Sequence, residues 1–286
     1  MADDLKRRNP VRPNKRLGQH FLTDKNIARL ILKKAGIQSQ DTVIEIGPGT
    51  GVLTEPIALE SRDVIAVEKD SRMVQALSNR LEKLSINNVS IIEKDILRFD
   101  FYEHRERCGK PLIVMGNIPY NISSQILIRL IEQRSAISFA VLMFQKELAD
   151  RIMSQPGTRS YGRISVRTQY CARVESILSV KASSFYPVPK VDSKVLRITF
   201  QERPFYEASD ESLFCRVIAD AFNKRRKTIK NALQGGGLGI EPDQLLTIFE
   251  KTGVDPGQRA ETISVEKFVA MSNLLHRMPD RIEVTL

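Results

Sequence analysis

The residues best suited to chemistry in this sequence are Asn117-Ile118-Pro119-Tyr120. The side-chain oxygen of Asn117 and the backbone carbonyl of Ile118 are two hydrogen-bond acceptors, and Pro119 biases its predecessor toward an extended conformation. Two acceptors aimed at the N–H bonds of an aromatic amine favour the tetrahedral geometry that frees its lone pair. Tyr120 adds a ring on which a base can stack, a contact worth roughly 1–3 kcal/mol. The tetrapeptide is therefore a candidate site for chemistry on an amine such as adenine N6.

The element that positions this tetrapeptide is the apolar run 112–115, which precedes it. The run is typical of a short buried strand, and the loop that follows such a strand in an α/β sheet is a usual place for ligand chemistry. A simple Pro-Tyr turn capped by the asparagine would have the same composition, and it is the structural alternative.

A glycine-rich loop follows an earlier predicted strand, Thr42–Ile46. The pattern is Glu45-Ile-Gly47-Pro-Gly49-Thr-Gly51, in which glycines allow the backbone to approach a ligand closely. Val52 stands where the dinucleotide fingerprint needs a glycine, and no Gly-Lys-Ser/Thr of a P-loop follows. Hydride transfer and nucleotide hydrolysis are therefore disfavoured. The pattern resembles motif I of the S-adenosylmethionine-dependent methyltransferases.

Carboxylates follow the next two predicted strands. Glu68 ends the strand 64–67, and Asp95 follows the strand 89–92. A carboxylate at the end of the second strand can accept hydrogen bonds from both hydroxyls of a ribose, and one after the third strand can accept from the amino group of an adenine. Each acid alone could equally be a solvated loop charge. Their placement at successive strand ends favours a nucleoside site.

Composition sets the outer limits. The chain has 286 residues, of which 42% are hydrophobic, enough for one large and one small domain. A net charge of +10 favours a polyanionic partner, although a basic enzyme without such a partner is the alternative.

The three cysteines are far apart and do not cluster with the three histidines, so neither a metal site nor a disulfide framework is predicted. No apolar run approaches membrane-spanning length, which predicts a soluble, cytoplasmic protein.

The remaining pattern predicts two domains, 1–204 and 205–286. The first contains a helix over 24–36, three further strands (139–144, 174–180 and 195–200) that complete the sheet, a helix over 145–153, and a basic glycine-bearing loop, 155–163, that could order on RNA. The second contains only helix-sized blocks, at 212–222, 225–233, 243–251 and 265–276. We therefore expect an α/β domain followed by a small all-α domain.

Two basic segments are candidates for contact with nucleic acid: the arm 1–16 and the run 224–230, which packs five cations into seven residues. A solvated face is the alternative for each, but a polyanionic partner explains both segments and the net charge together. The candidate RNA-binding residues are Lys15, Arg16, Arg163, Lys224, Arg225, Arg226, Lys227 and Lys230.

The sequence resembles the small-subunit ribosomal RNA adenine N6,N6-dimethyltransferases nearly end to end. The resemblance is carried by Asn14–Leu22, by Glu45–Gly51, by Gly116–Ser124 and by Ser184–Ser193. It implies a Rossmann-like class I methyltransferase sheet with a helical RNA-contacting domain, no metal, and methyl transfer from S-adenosylmethionine to two adjacent adenosines near the 3′ end of the RNA. The cofactor residues it implies, together with those of the glycine loop, are His20, Leu22, Glu45, Gly47, Gly49, Gly51, Glu68, Asp95 and Asn117.

For the target base, the resemblance implies a clamp between Tyr120 and Phe185. Many members have Asn where His20 stands and Leu where Ile118 stands, and neither difference removes the required polar groups. The partner implied is small-subunit RNA in an assembling 30S-type particle, with no obligate protein partner and a monomeric chain. Two other functions fit the same residues: an antibiotic-resistance methylase acting on large-subunit RNA, and a mainly non-catalytic assembly or nucleic-acid-binding factor. The intact Asn117-Ile118-Pro119-Tyr120 sequence argues against the second.

Overall fold

The computed structural model describes residues 13–14, 17–224 and 226–278. Two compact units divide the chain. The first contains residues up to Ala149 together with Arg173–Gln201, and the second contains Asp150–Ala172 together with the residues from Glu202 onward. The first unit contains the described strands, apart from the first residue of one of them, and the second is helical.

The first unit is built on a seven-stranded sheet. Its strands are β2 (Thr42–Ile46), β3 (Asp63–Glu68), β4 (Val89–Glu93), β5 (Leu112–Asn117), β6 (Ile137–Gln145), β7 (Ala172–Val180) and β9 (Ser193–Phe200). They lie in the order β4-β3-β2-β5-β6-β9-β7. The pairs from β4 to β6 are parallel, and β9 runs antiparallel to β6. The predicted α/β fold with a Rossmann-like sheet is confirmed.

Helices accompany the strands of this sheet. They are α1 (Lys25–Ala35), α2 (Thr54–Glu60), α3 (Ser71–Lys83), α4 (Phe101–Cys108), α5 (Ser123–Glu132) and α6 (Lys146–Met153), the last of which crosses the boundary between the units. The central strand β2 is buried at all five positions, as expected for a parallel strand covered on both faces. This burial explains why its sequence is a continuous apolar run around Glu45.

The ends of α1 follow from the sequence. The side chain of Asp24 accepts hydrogen bonds from the backbone N–H groups of Asn26 and Ile27, and Gly36 ends the helix with a left-handed φ of 67°. The helix predicted over 24–36 is therefore confirmed.

A small two-stranded sheet was not predicted. The strands β1 (Phe21–Leu22) and β8 (Phe185–Tyr186) pair antiparallel, with Phe21 opposite Tyr186 and Leu22 opposite Phe185. Pairs of two residues leave no periodicity to detect in a sequence. The pairing matters for function because it joins the N-terminal segment to the loop before β9.

The second unit contains the helices α7 (Arg163–Cys171), α8 (Glu211–Asn223), α9 (Ile229–Gln234), α10 (Pro242–Thr252) and α11 (Val265–Arg277). The helical region predicted past residue 204 is therefore present. The division at 204/205, however, leaves α7 in the wrong unit. Tyr170 of α7 donates a 3.0 Å hydrogen bond to Glu211, and its ring lies 4.5 Å from that of Phe214. The burial of this aromatic residue against α8 assigns the segment 150–172 to the helical unit.

Two local predictions in the second unit were wrong. The helix predicted to begin at residue 225 begins at Ile229, because the Thr228 hydroxyl caps it by accepting from the backbone N–H of Asn231 at 3.3 Å. The loop 155–163 is ordered by the protein itself: Gly157 N–H donates to the carbonyl of Glu261 at 2.8 Å, and the hydroxyls of Ser154 and Ser160 are 2.7 Å apart. The loop therefore does not need RNA in order to fold.

None of the helices in the described residues is both long enough and apolar enough to cross a membrane.

Candidate active site

The polar residues predicted at successive strand ends do meet in one pocket. Its lining includes His20, Gly47, Glu68, Asp95, Asn117 and Tyr120, which come from the N-terminal segment and from the carboxyl ends of β2, β3, β4 and β5. Gly49, Ile118 and Pro119 also line it. A smaller adjoining pocket is lined by Leu22 and Glu45, with Gly47 and Asn117 shared between the two. Carboxyl ends of parallel strands are the usual ligand edge of such a sheet.

The loop after β2 depends on its glycines. Gly47, Gly49 and Gly51 have φ values of 62°, 52° and 81°, a region that favours glycine. A Cβ atom on Gly49 would lie 2.8 Å from the Phe21 ring, and one on Gly51 would lie 2.8 Å from the Leu77 side chain. Gly51 does not line either pocket, so its role is to let the loop pass over α3. The loop therefore keeps its backbone open toward a ligand at Gly47 and Gly49.

Glu68 is held by backbone donors. Its Oε1 accepts from the N–H groups of Lys69 and Asp70 at 2.8 and 2.9 Å, and its Oε2 accepts from Gly49 N–H at 3.3 Å. Burial raises the pKa of this carboxyl, while the three backbone donors oppose that rise. The side chain is thus fixed at the end of β3, where a vicinal diol could approach it.

Asp95 carries two hydrogen bonds at the end of β4. Its Oδ1 accepts from the backbone N–H of Leu97 at 3.0 Å, and its Oδ2 accepts from the Lys69 ammonium at 2.7 Å. The bond from Lys69 holds the pKa of Asp95 below its ordinary value, so the carboxylate stays an acceptor. The sequence did not indicate Lys69, because an exposed lysine next to a strand end carries no distinguishing pattern.

Glu45 is the most deeply buried acid of the site. Only 1% of its surface is exposed, and its Oε2 has no hydrogen-bond partner among the described residues. Burial raises its pKa to about 8. A buried carboxyl oxygen without a partner, in a wall of the smaller pocket, is suited to receive a cationic group.

The orientation of the Asn117 amide is set by the N-terminal segment. Its Nδ2 donates to the backbone carbonyl of His20 at 2.7 Å. This bond assigns the amide nitrogen, so Oδ1 is the atom left to accept from a ligand. The next residue, Ile118, has its side chain in the core at 1% exposure.

Tyr120 also lines the pocket. Its hydroxyl is 2.9 Å from that of Ser193, and burial raises the pKa of the phenol. The imidazole of His20 stacks on it with ring centroids 5.2 Å apart and planes at 23°.

The predicted clamp between Tyr120 and Phe185 does not appear in this arrangement. Phe185 is 2% exposed, pairs with Leu22, and belongs to a buried core cluster rather than to the pocket lining. Its large apolar ring is buried because β8 is tied to β1. The ring that faces Tyr120 is that of His20.

The segment Leu17–Leu22 contributes more than the two residues predicted from it. Gln19 donates from Nε2 to Asp70 at 3.1 Å, and the Arg72 guanidinium donates two further bonds to the same carboxylate. The pair with Arg72 lowers the pKa of Asp70. Gln19 lies inside the N-terminal stretch that carries the family resemblance, but no pattern in the sequence indicated its partner Asp70, which caps α3.

The structure describes five of the eight candidate RNA-binding cations. Arg163, Lys224, Arg226 and Lys227 are exposed and Lys230 is half-buried, and all five belong to the second unit. Lys15, Arg16 and Arg225, with the arm 1–12, lie outside the described residues. Among the described residues, no three His, Cys, Asp or Glu side chains are grouped as a metal site would need.

The sheet order, the glycine loop after its first parallel strand and the acids after the next two strands define a class I methyltransferase. Residues 11–277 match the family model "Ribosomal RNA adenine dimethylase". The chain belongs to this family.

Relatives and solved structures agree with this assignment. A "Ribosomal RNA small subunit methyltransferase A" from Desulforapulum autotrophicum is 47% identical over 280 residues, covering 98% of both chains. The protein of the same name from Bacillus mycoides is 38% identical and covers 92% of both. A dimethyladenosine transferase from Plasmodium falciparum superposes with a TM-score of 0.74 at 27% identity, covering 88% of this chain and 95% of that one. The 23S rRNA methyltransferase ErmE gives 0.66 at 26% identity, covering 90% and 100%.

Proposed function

We propose that this protein transfers methyl groups from S-adenosylmethionine to N6 of two adjacent adenosines near the 3′ end of small-subunit ribosomal RNA, giving N6,N6-dimethyladenosines during subunit assembly. The single observation that carries the proposal is the hydrogen bond from Asn117 Nδ2 to the His20 carbonyl. This bond presents the amide oxygen to the pocket, where an amine can donate to it. An oxygen acceptor at this point suits an N–H donor and does not suit a carbonyl substrate.

The residues present fit the cofactor. Glu68, with its carboxylate fixed by backbone donors, would bind the ribose hydroxyls, and Asp95 would accept from the adenine amino group. The unpartnered oxygen of Glu45 would receive the ammonium group of the methionine portion, beside the loop of Gly47 and Gly49. The bound cofactor supplies an electrophilic methyl group on a sulfonium.

Catalysis then rests on preorganised acceptors. Asn117 Oδ1 and the Ile118 carbonyl would bind the two N–H groups of adenine N6 and favour the geometry in which its lone pair is free. Pro119 has no N–H to compete for these acceptors. Tyr120, fixed by Ser193, would hold the flipped base by stacking. A secondary amine keeps one N–H, so the same site can accept the monomethylated product for a second transfer.

RNA binding is assigned to the cations of the second unit and to the N-terminal arm. Lys224, Arg226 and Lys227 are exposed in one short turn before α9, which suits contact with phosphates. We infer that the partner is the RNA of an assembling small subunit, that the protein acts in the cytoplasm as a monomer, and that it needs no protein partner of its own.

Sequence similarity favours RNA of the small subunit over RNA of the large subunit as the substrate. The relatives named as small-subunit methyltransferases are 38–47% identical, whereas the large-subunit enzyme ErmE is 26% identical. A purely binding role would not require the Asn117 amide to be held in one orientation. The test is incubation with labelled S-adenosylmethionine and, in parallel, unmethylated small subunits, large subunits and naked RNA. We expect label in the small subunit, and label confined to the large subunit would contradict the proposal.

A further inference from the structure

One face of the Tyr120 ring is already covered. The imidazole of His20 stacks on it at a centroid distance of 5.2 Å, and its Nδ1 donates a 2.7 Å hydrogen bond to the carbonyl of Pro187. The backbone carbonyl of the same histidine binds Asn117 Nδ2. His20 therefore contacts both the ring proposed to carry the base and the residue proposed to hold its amine.

There is no room for a base between these two rings. A base stacked between two flat rings needs a gap of about 3.5 Å on each of its faces, so the flanking rings must be about 7 Å apart. Tyr120 is held by Ser193 through its hydroxyl, so its ring cannot easily withdraw. The proposed function needs the Tyr120 ring in place, whereas the hydrogen bond and the stacking contact of the imidazole can both be exchanged for others. Of the two rings, His20 is the one that must move.

We propose that the His20 side chain is a displaceable plug of the target-base site, which covers Tyr120 in the free protein and leaves when an adenine enters. The proposal rests on the proposed function, since it takes Tyr120 as the surface on which the base stacks. It changes the role of the His20 side chain from cofactor ligand to competitor of the base. The backbone carbonyl of His20 keeps its bond to Asn117 throughout, so the amide oxygen remains oriented while the ring moves.

The plug also selects, by their shape, the groups that can enter the base site. An incoming group must replace both the stacking contact and the hydrogen bond to Pro187 that the imidazole loses. A flat aromatic base can restore the stacking on Tyr120, whereas water or an aliphatic chain cannot. The plug therefore favours entry of groups that can stack on Tyr120.

The most direct test is NMR of protein labelled with ¹³C at histidine Cε1. The sequence has only three histidines, so the spectrum has three signals. His104 is an internal control, because its imidazole stacks on Phe99 at 4.5 Å and 8°, and it does not line the pocket. Both stacked histidines should be shifted upfield by the neighbouring rings.

The titration is done with the cofactor site saturated by S-adenosylhomocysteine, so that added adenosine monophosphate can act only at the base site. We expect the nucleotide to move the His20 signal downfield toward that of an unstacked histidine, while the His104 signal stays in place. A His20 signal that moves when S-adenosylhomocysteine is added, and not on later addition of the nucleotide, would overturn the proposal.

Kinetics provide the second test. His20→Ala should lower the KM for unmethylated small subunits about two- to tenfold, the range of one lost stacking contact, with the Kd for S-adenosylmethionine unchanged within about twofold. His104→Ala should change neither constant. A His20→Ala variant with weaker cofactor binding and an unchanged KM, or with no change in either, contradicts the plug. If the wild-type protein methylates no ribosomal particle, the proposed function fails instead, and the NMR titration still decides whether a base displaces His20.

Discussion

Asn117 Nδ2 lies 2.7 Å from the backbone carbonyl of His20, a residue 97 positions earlier in the chain. The bond joins the N-terminal segment to the end of β5 and decides which atom of the amide faces the pocket. Because Oδ1 is the free atom, the site is an acceptor for N–H groups. The chemistry proposed for Asn117 thus depends on the fold of residues that come long before it.

Replacing Asn117 with alanine should abolish methyl transfer and leave RNA affinity nearly intact. The variant lacks one preorganised acceptor at the reacting amine, a loss that typically costs about 2.7–4 kcal/mol, or 10²- to 10³-fold in kcat. Single-turnover transfer of labelled methyl groups measures the rate, and filter binding of the particle measures affinity. Normal turnover by Asn117→Ala would remove the acceptor mechanism.

The amide orientation can be tested separately with Asn117→Asp. This change keeps the oxygen acceptor but replaces the amide nitrogen with a second oxygen, so a carboxylate oxygen faces the His20 carbonyl to which the amide donated a bond. We expect activity to fall at least as far as in Asn117→Ala. An aspartate variant with wild-type kcat would show that the bond to His20 does not position the residue.

Glu68→Gln should weaken cofactor binding before it affects any other property. The carboxylate would accept from two ribose hydroxyls, and charge-assisted hydrogen bonds are roughly twice as strong as neutral ones. Calorimetry with S-adenosylmethionine should show a Kd raised about tenfold or more. The control is Glu93→Gln, at the exposed end of the neighbouring strand β4 and opposite Glu68 in register. Equal affinities in the two variants would contradict the ribose assignment.

Much of the fold could be predicted because the signals are local. The strand β2 has the predicted bounds, and each end of α1 lies within one residue of its predicted bound, since a continuous apolar run and a cap residue each act within a few positions. The strand ends bearing Glu68, Asp95 and Asn117 followed from the same runs. Parallel strands bring their carboxyl ends to one edge of the sheet, so these residues were expected to lie close together.

The features that could not be predicted depend on contacts between residues far apart in the sequence. The burial of Phe185 arises from a two-residue pairing with β1, and the stacking of His20 on Tyr120 follows from the same connection. The packing of Tyr170 against α8 likewise removes the segment 150–172 from the unit that surrounds it in the sequence. None of these contacts leaves a periodic pattern.

Glu45 predicts a pH dependence of stability. Its folded pKa is raised to about 8 by burial, so the folded protein holds a proton that the unfolded chain releases above pH about 4.5. The contribution of Glu45 to the free energy of unfolding is therefore fully present below pH 4.5 and is lost as the pH rises to 8. Glu45→Gln should therefore raise the unfolding free energy of the cofactor-free protein at pH 8.5, by an amount on the order of a few kcal/mol, and have little effect at pH 4.5.

The measurement is the difference in Tm between Glu45→Gln and the wild type across this pH range. A pH-independent difference would show that Glu45 does not titrate as proposed. The same variant should bind S-adenosylmethionine more weakly, because a glutamine amide, unlike Glu45, cannot lose a proton and become a carboxylate when the ammonium group of the cofactor binds.

The cations of the second unit predict a change in salt dependence. Replacing Arg226, Lys227 and Lys230 with glutamine removes three proposed phosphate contacts. Each contact contributes about 0.7–0.9 to the slope of log K against log salt, so the slope should fall in magnitude by about 2–3. The affinity for S-adenosylmethionine should not change, since the cofactor pocket belongs to the first unit.

The matched control removes the same charge from the first unit. Lys33, Lys34 and Lys83 are exposed on α1 and α3, and their replacement by glutamine leaves the proposed contacts in place. We expect this control to keep most of the slope. If the two triple variants have the same slope, the run before α9 is a solvated face and the arm 1–16 becomes the candidate for the RNA contact.

The most direct test of the central claim is the identity of the nucleoside formed. Unmethylated small subunits are incubated with S-adenosylmethionine and the protein, and their RNA is digested and analysed by liquid chromatography and mass spectrometry. We predict N6,N6-dimethyladenosine at two adjacent positions near the 3′ end with the wild-type protein and none with Asn117→Ala. Methyl groups on another atom or nucleoside, or dimethyladenosine formed by Asn117→Ala at the wild-type rate, would contradict the account.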